Sequence, residues 1–181
     1  MKPHSDSLIL VNRQDEFLGY GDKLLVHIQG RLHRAFSVII FNSQGEMLLQ
    51  QRAWTKYHSP GLWTNTCCSH PLGQESLHEA AKRRLPEEMG LHCQLTSIGS
   101  FIYECALDDH LFEHELDHIL VGVTDEIPVP NPQEVAAFHY TTFEQLEIEL
   151  NQNPAQFTFW FQEMNSQGLL KRAFQFIQTM I

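Results

Sequence analysis

The sequence is short of positive charge. Lys and Arg number 12 against 22 Asp and Glu, which leaves a formal charge of −10 over 181 residues. A chain this acidic, with no basic run, argues against nucleic acid or an anionic membrane as a partner. Cysteine is scarce too. Cys67, Cys68, Cys93 and Cys105 form no CxxC pair and no disulfide-dense pattern, so a reducing, cytoplasmic setting is expected. Long apolar runs are missing: nothing approaches the roughly 18 residues a membrane span needs. Met1–Val11, with one Lys and only the short run Leu8–Val11, does not read as a signal peptide. No dinucleotide glycine fingerprint is present, so no flavin is implied. Repeats and low-complexity segments are also absent. Histidine, by contrast, is plentiful at 11, which strengthens the case for a metal.

The length fits one domain over residues 1–181, burying roughly 70% of its unfolded surface. Ser7–Val11 reads as a strand with a hairpin partner at Phe17–Gly21. Asp22–Arg34 has no clean periodicity and reads as mostly irregular. Ala35–Phe41 and Glu46–Arg52 read as strands about a turn at 42–45. Ser76-Leu77-His78-Glu79 is a capping box, so a helix is expected from Leu77, with Leu77, Ala81, Leu85 and Met89 as its buried stripe and Gly90 as its stop. Pro86 should bend that helix, at a cost of ~3 kcal/mol. Further strands are expected at Leu95–Ala106, Glu113–Thr124 and Val135–Tyr140, with a loop at Leu107–His110 and a proline-rich linker at Ile127–Pro132. A helix capped by Thr141 or Thr142 runs to Leu150, and the tail is helical with a break near Gly168. The class is α/β or α+β with a mixed sheet.

Three groups could carry chemistry. The first is Trp63-Thr64-Asn65-Thr66-Cys67-Cys68-Ser69-His70-Pro71. In an extended stretch Cys68 and His70 share one face and Cys67 takes the other. A free cysteine is often just a small buried hydrophobe, and a lone histidine is more often structural than a ligand. The second is Glu113-His114-Glu115-Leu116-Asp117-His118. As a strand it sets Glu113, Glu115 and Asp117 in an acidic row, with His114 and His118 opposite. A solvated face is the plainer reading, but the apolar run that follows points to burial. Two carboxylates one pleat apart then need a cation or a raised pKa, and Glu with nearby His suits a transition metal. The third is basic: Lys23, Arg52, Lys56, Arg83 and Arg84. Arg83 and Arg84 are spaced to pair with Glu87 and Glu88 along a helix, but in so acidic a chain their clustering suggests a phosphate-bearing substrate. Tyr103, Trp63 and Trp160 are aromatic candidates that by residue type alone read as core.

Ser69 through Glu75 to Arg83-Arg84-Leu85-Pro86-Glu87-Glu88-Met89-Gly90-Leu91 resembles a Nudix box. Ser69 stands where that box has its first Gly, and Arg84 where it has the Glu that serves the hydrolytic metal. Together with the cysteine stretch, His33-Arg34-Ala35-Phe36-Ser37 and the Glu113–His118 segment, the pattern resembles the type 1 isopentenyl-diphosphate isomerase family over nearly the whole chain. The resemblance implies a Nudix-like mixed sheet between helices, with a C-terminal helical lid. It implies Cys68 as the catalytic cysteine, with Glu115, Tyr103 and Trp160 as its catalytic companions. It implies His27, His33, His70, Glu113 and Glu115 as ligands of a tightly bound Zn²⁺ or Mn²⁺. Glu88 and the carbonyl of Cys68 would hold Mg²⁺ that arrives with the substrate, and Lys23, Arg52, Lys56 and Arg84 would bind its diphosphate.

The implied reaction is a 1,3 proton shift through a tertiary carbocation, which needs an acid and a base on opposite faces of a prenyl diphosphate. Glu115 with Tyr103 would protonate the alkene, and Cys68, its pKa lowered by nearby metal ions and positive charge, would remove the C2 proton as a thiolate. Trp160 would hold its π face to the cation. A monomer or weak homodimer is expected. The competing readings are a Nudix-type diphosphate hydrolase, against which Ser69 and Arg84 weigh, and a non-catalytic metal-binding protein on the same fold.

Overall fold

The computed structural model describes residues 7–107 and 111–180. Strands β1 (Ser7–Val11) and β2 (Phe17–Asp22) pair as the expected antiparallel hairpin. Asp22 then starts a helix, its carboxylate accepting the Leu25 N–H at 3.1 Å, and Gly30 ends it in the left-handed region. Lys23–Gln29 is therefore helix α1, where an irregular chain was expected. The periodicity was hidden because Leu24, Leu25 and Ile28 face solvent while Val26 and His27 are buried. Strand β3 (His33–Phe41) follows and takes in His33 and Arg34 as well.

Strands β4 (Met47–Arg52), β5 (Trp63–Thr64) and β6 (Cys67–Ser69) lead into helix α2 (Leu77–Met89). Then come β7 (Thr96–Ala106), β8 (Phe112–Val123), β9 (Val135–Thr141) and helix α3 (Phe143–Gln152). A 3₁₀ turn at Pro154–Gln156 precedes α4 (Phe159–Ser166) and α5 (Leu169–Ile177), split at Gly168 as expected. Of the loop expected at Leu107–His110, residues 108–110 lie outside the described residues, as do residues 1–6 and 181.

The sheet is mixed. β3 and β8 run parallel in register from His33–Glu115 to Phe41–Val123, β6 lies antiparallel to β3, and β7 lies antiparallel to β8. Helices cover both sides, with α3 to α5 as a C-terminal lid. Phe36, Val38, Ile40 and Leu120 pack with Ala80, Ala81, Leu85 and Met89 of α2. The opposite face sets Ile39, Phe41, Ile119 and Val121 with Phe161, Leu170 and Phe174 of α4 and α5. That second face is apolar only along its later half. Its earlier half, in the same alternation, carries His33, Ser37, Glu113, Glu115 and Asp117, all buried.

Helix α2 has both bonds of the capping box, and it continues through Pro86 to Met89. Its stripe differs slightly from expectation: Ala80, Ala81, Leu85 and Met89 are buried, while Leu77 is only partly so. Positions every four residues drift about 40° per step around a helix of 3.6 residues per turn, so the first of them leaves the buried face. Among the described residues no helix is long and apolar enough to cross a membrane.

Candidate active site

The polar half of the face holds a cluster of potential metal ligands. His27, His33, His70 and Glu113 bring one ligand atom each to within 4.8 Å of one another. α1 supplies His27, β3 His33, β8 Glu113, and the segment after β6 His70. Backbone carbonyls fix two of the imidazoles: His27 Nδ1 lies 2.6 Å from the Lys23 carbonyl and His33 Nδ1 2.9 Å from that of Arg31. A carbonyl only accepts, so both Nδ1 atoms carry a proton, and both Nε2 atoms are left to face inward. His27 Nε2 then faces Glu113 Oε2 at 3.3 Å, and both atoms are buried without a hydrogen-bond partner. Three imidazoles and a carboxylate that converge in this way, two of their atoms buried without a hydrogen-bond partner, fit a divalent ion.

Glu115 stands beside this group. His70 Nε2 donates to its Oε1 at 2.7 Å, and Tyr103 Oη donates to its Oε2 at 2.6 Å. Burial alone would raise its pKa, but the hydrogen bonds from His33 and His70 outweigh it and hold Glu115 well below the usual carboxylate range. Its neighbour Glu113 goes the other way, raised by burial and by the charge of Glu115. Asp117, third in the row, is pushed well up by burial and Glu115, and accepts from Ser37 Oγ at 2.7 Å. Burial lowers His70 to about 4. The opposite face of β8 is as expected: His114 bonds the Gly30 carbonyl at 2.9 Å and His118 meets Asp15 at 3.2 Å.

Cys68 lines one cavity with His70, Tyr103, Glu113, Glu115 and Asp117, and Cys67 faces away into the packing against α2. The register decides this, since Cys68 pairs with Ser37 and Cys67 with Val38 on the alternate face. Positive charge from Arg52 pulls the thiol down, but in the protein alone it does not prevail. Burial and Asp117 push Cys68 up to about 12, outweighing the opposing pull of the Ser37 hydrogen bond and Arg52. Burial also raises Tyr103 well above its ordinary value.

Lys23, Arg52, Lys56, Arg84, Glu88 and Trp160 line that cavity too. The Arg52 guanidinium lies 5.3 Å from the Trp160 ring centroid, and the indole N–H has no partner. Arg84 donates to Glu88 at 2.6 Å and lies 3.3 Å from Glu134, which also pairs with Lys56. Glu88 is raised by burial, against the charge of Arg84. Arg83 stands outside the cavity: it bonds Glu75 at 2.7 Å and lies farther from Glu87, at 3.6 Å. His33 is fully buried behind the cavity wall and reaches it through His70 and Glu115.

Residues 31–161 match the NUDIX domain family. The isopentenyl-diphosphate Delta-isomerase of Serratia proteamaculans is 51% identical over 156 residues, 86% of this chain and 87% of its own length. The enzyme of that name numbered 1 in Aromatoleum aromaticum is 45% identical, over 87% of this chain and 89% of its own. The chain belongs to the type 1 isopentenyl-diphosphate isomerase family. Among solved structures, a Deinococcus radiodurans protein superimposes with a TM-score of 0.66 at 21% identity, covering 81% of this chain and 90% of its own. A MutT protein from Methanosarcina mazei gives 0.63 at 17%, covering 78% and 95%. These two likenesses concern the fold.

Every site residue that the family resemblance implied is thus in or directly behind one cavity. Sequence reasoning missed Ser37, His58, Asn65 and Glu134. His58 lines the cavity, its pKa lowered to about 3 by burial and Arg52. Asn65 sat inside the cysteine stretch with no role assigned. Glu134 follows the proline-rich linker, where no spacing ties it to a lysine 78 residues away.

Proposed function

We propose that this chain, as one Nudix-like domain over residues 1–181, interconverts isopentenyl diphosphate and dimethylallyl diphosphate. The observation that carries the reading is a single cavity that joins two candidate proton-transfer groups, Cys68 and the Tyr103–Glu115 pair, to four cations. Lys23, Arg52, Lys56 and Arg84 bind the diphosphate. Arg84, where a hydrolase of this fold has a carboxylate, favours holding the diphosphate over cleaving it.

A proton from the Tyr103–Glu115 pair adds to the terminal carbon of the alkene. The π electrons form that C–H bond and leave a tertiary cation at C3. Cys68 removes a proton from C2, and the released electron pair forms the internal double bond. Trp160 turns its ring to the cation, worth up to about 2 kcal/mol when desolvated. The lid helices keep out water that would trap the cation. His27, His33, His70, Glu113 and Glu115 would hold a divalent ion; mixed imidazole and carboxylate ligation suits Zn²⁺ and Mn²⁺. Glu88 and the Cys68 carbonyl would hold Mg²⁺. Bound there, the ions supply positive charge beside the diphosphate, Glu115 and Cys68. Burial and Asp117 hold the Cys68 thiol up at about 12 in the protein alone, and the positive charge of bound ions would favour its thiolate. A reducing, cytoplasmic setting agrees with four free cysteines, and the chain acts as a monomer or weak homodimer.

The test is incubation with isopentenyl diphosphate and Mg²⁺ in D₂O, followed by NMR. Dimethylallyl diphosphate with deuterium in a methyl group is expected. Cys68→Ala should abolish it and Cys67→Ala largely retain it. Activity in both variants removes the thiol from the mechanism, and phosphate release in place of isomerisation marks a hydrolase.

A further inference from the structure

Asn65 lies between β5 and β6 with no exposed surface. Its side-chain nitrogen donates to the Val38 carbonyl at 3.1 Å and to the Cys67 carbonyl at 2.9 Å. Both partners are backbone acceptors, so both amide protons are committed and the amide cannot be turned round. Its oxygen must therefore face the other way. There it accepts the Cys68 thiol at 3.0 Å and the Thr64 hydroxyl at 2.9 Å.

The chain of bonds continues. Thr64 Oγ1 accepts from Thr158 Oγ1 at 3.0 Å. Each hydroxyl has one proton, and each is used once: Thr158 to Thr64, Thr64 to Asn65. Thr158 is the residue before α4 and is placed to cap it, yet its hydroxyl accepts no helix N–H. An N-terminal threonine commonly stabilises its helix through that bond. Here the hydroxyl turns to Thr64, while the backbone N–H of Thr158 donates to the Trp63 carbonyl at 3.0 Å. Thr64 and Thr158, like Asn65, are fully buried. A buried polar chain with every member satisfied allows one arrangement and penalises others. Its two ends are the thiol of Cys68 and the start of the helix that carries Trp160.

We propose that Thr158, Thr64 and Asn65 form a buried positioning chain that fixes the Cys68 sulfur against the cavity and ties it to the lid helix bearing Trp160. None of the three lines the cavity, so they act through Cys68 and not on substrate. The proposal rests on the proposed function only in taking Cys68 and Trp160 to face the substrate. Its geometry is independent of that.

Asn65→Ala would orphan two backbone carbonyls and threaten the fold, so the threonines carry the test. Thr158→Val keeps the side-chain shape and the backbone bond to Trp63 but removes the first proton of the chain; Thr158→Ser keeps it. Thr64→Val breaks the second link. We expect Thr158→Val and Thr64→Val to lower kcat about tenfold, the size of one buried hydrogen bond, with KM for isopentenyl diphosphate within about twofold. Thr158→Ser should restore most of the loss. A second readout needs no turnover: in a Cys67→Ala background, alkylation of Cys68 by iodoacetamide, followed by mass spectrometry, should quicken severalfold in both valine variants and not in Thr158→Ser. Unchanged kcat with unchanged alkylation in both valine variants overturns the proposal, as does a Thr158→Ser variant as impaired as Thr158→Val. Changed alkylation in a protein that isomerises nothing keeps the positioning chain and overturns the proposed function.

Discussion

Glu134 shows how much one side chain can set. It pairs with Lys56 and approaches Arg84, two of the cations assigned to the diphosphate, while Lys23 and Arg52 have no carboxylate within ion-pair distance among the described residues. A diphosphate entering the cavity must compete with that carboxylate. Glu134→Gln should therefore tighten binding of inorganic pyrophosphate about two- to fivefold, the scale of a partly exposed ion pair, measured by titration calorimetry; weaker binding would mean that Glu134 orients the cations instead. His139 offers a pH test away from the site. It packs edge-on against Trp63 at 4.4 Å, and burial lowers its pKa, with Glu149 opposing. A histidine whose folded value lies below its unfolded one, about 6.5, contributes its full stability above that pH and loses it as pH falls. His139→Phe should thus gain thermal midpoint relative to the parent between pH 7 and pH 5. A constant difference across that range would mean His139 does not titrate with folding.

Among the elements, α2 is the one most legible from sequence. Cap, stripe and stop all lie within its own residues, so local chemistry was enough to bound it. What holds its far end was not legible. The linker after β8 folds back, Val129 N–H donating to the Met89 carbonyl and Asn131 N–H to the Glu88 carbonyl, both at 2.9 Å. These bonds satisfy the last carbonyls of the helix and fix the backbone of Glu88. Gly90 is needed twice over: its φ is 67°, and a Cβ there would sit 2.7 Å from the Val129 carbonyl oxygen. Gly90→Ala should cost more than the roughly 1 kcal/mol of a left-handed alanine alone, read from urea unfolding, and should loosen the linker. A loss under that figure would mean the linker gives way freely. Helix α1 is the contrary case. It is short, its leucines face solvent, and its buried side is one valine and one histidine, so burial periodicity could not reveal it.

At the scale of the molecule, the metal cluster joins α1, β3, β8 and the segment after β6, which are far apart in the chain. An ion bound there links them and stabilises the folded state by mass action, about 2.7 kcal/mol at one hundred times its dissociation constant. Removing it with a chelator should lower the thermal midpoint by about 5–10 °C for a protein of this size, and returning Zn²⁺ or Mn²⁺ should restore it. His27→Ala should abolish the response. A midpoint indifferent to chelator in the parent protein would show that no ion holds the cluster together.

The order of residues was sufficient for whatever depends on near neighbours. The alternation that turns Cys68 one way and Cys67 the other, the acidic row at Glu113, Glu115 and Asp117, and the capped helix ending at Gly90 all follow from a period of two or of 3.6. The family's motifs are legible for the same reason, being short runs. The folded chain alone could set partners across the sheet. It gave Glu115 its hydrogen bonds from His70 and Tyr103, and so split its ionisation from that of Glu113 one pleat away. It also placed Cys68 deeply enough, beside Asp117, for burial to raise its thiol to about 12 against the pull of Ser37 and Arg52. Spacing along a strand states which groups share a face; depth and the partner opposite determine which of them keep their protons.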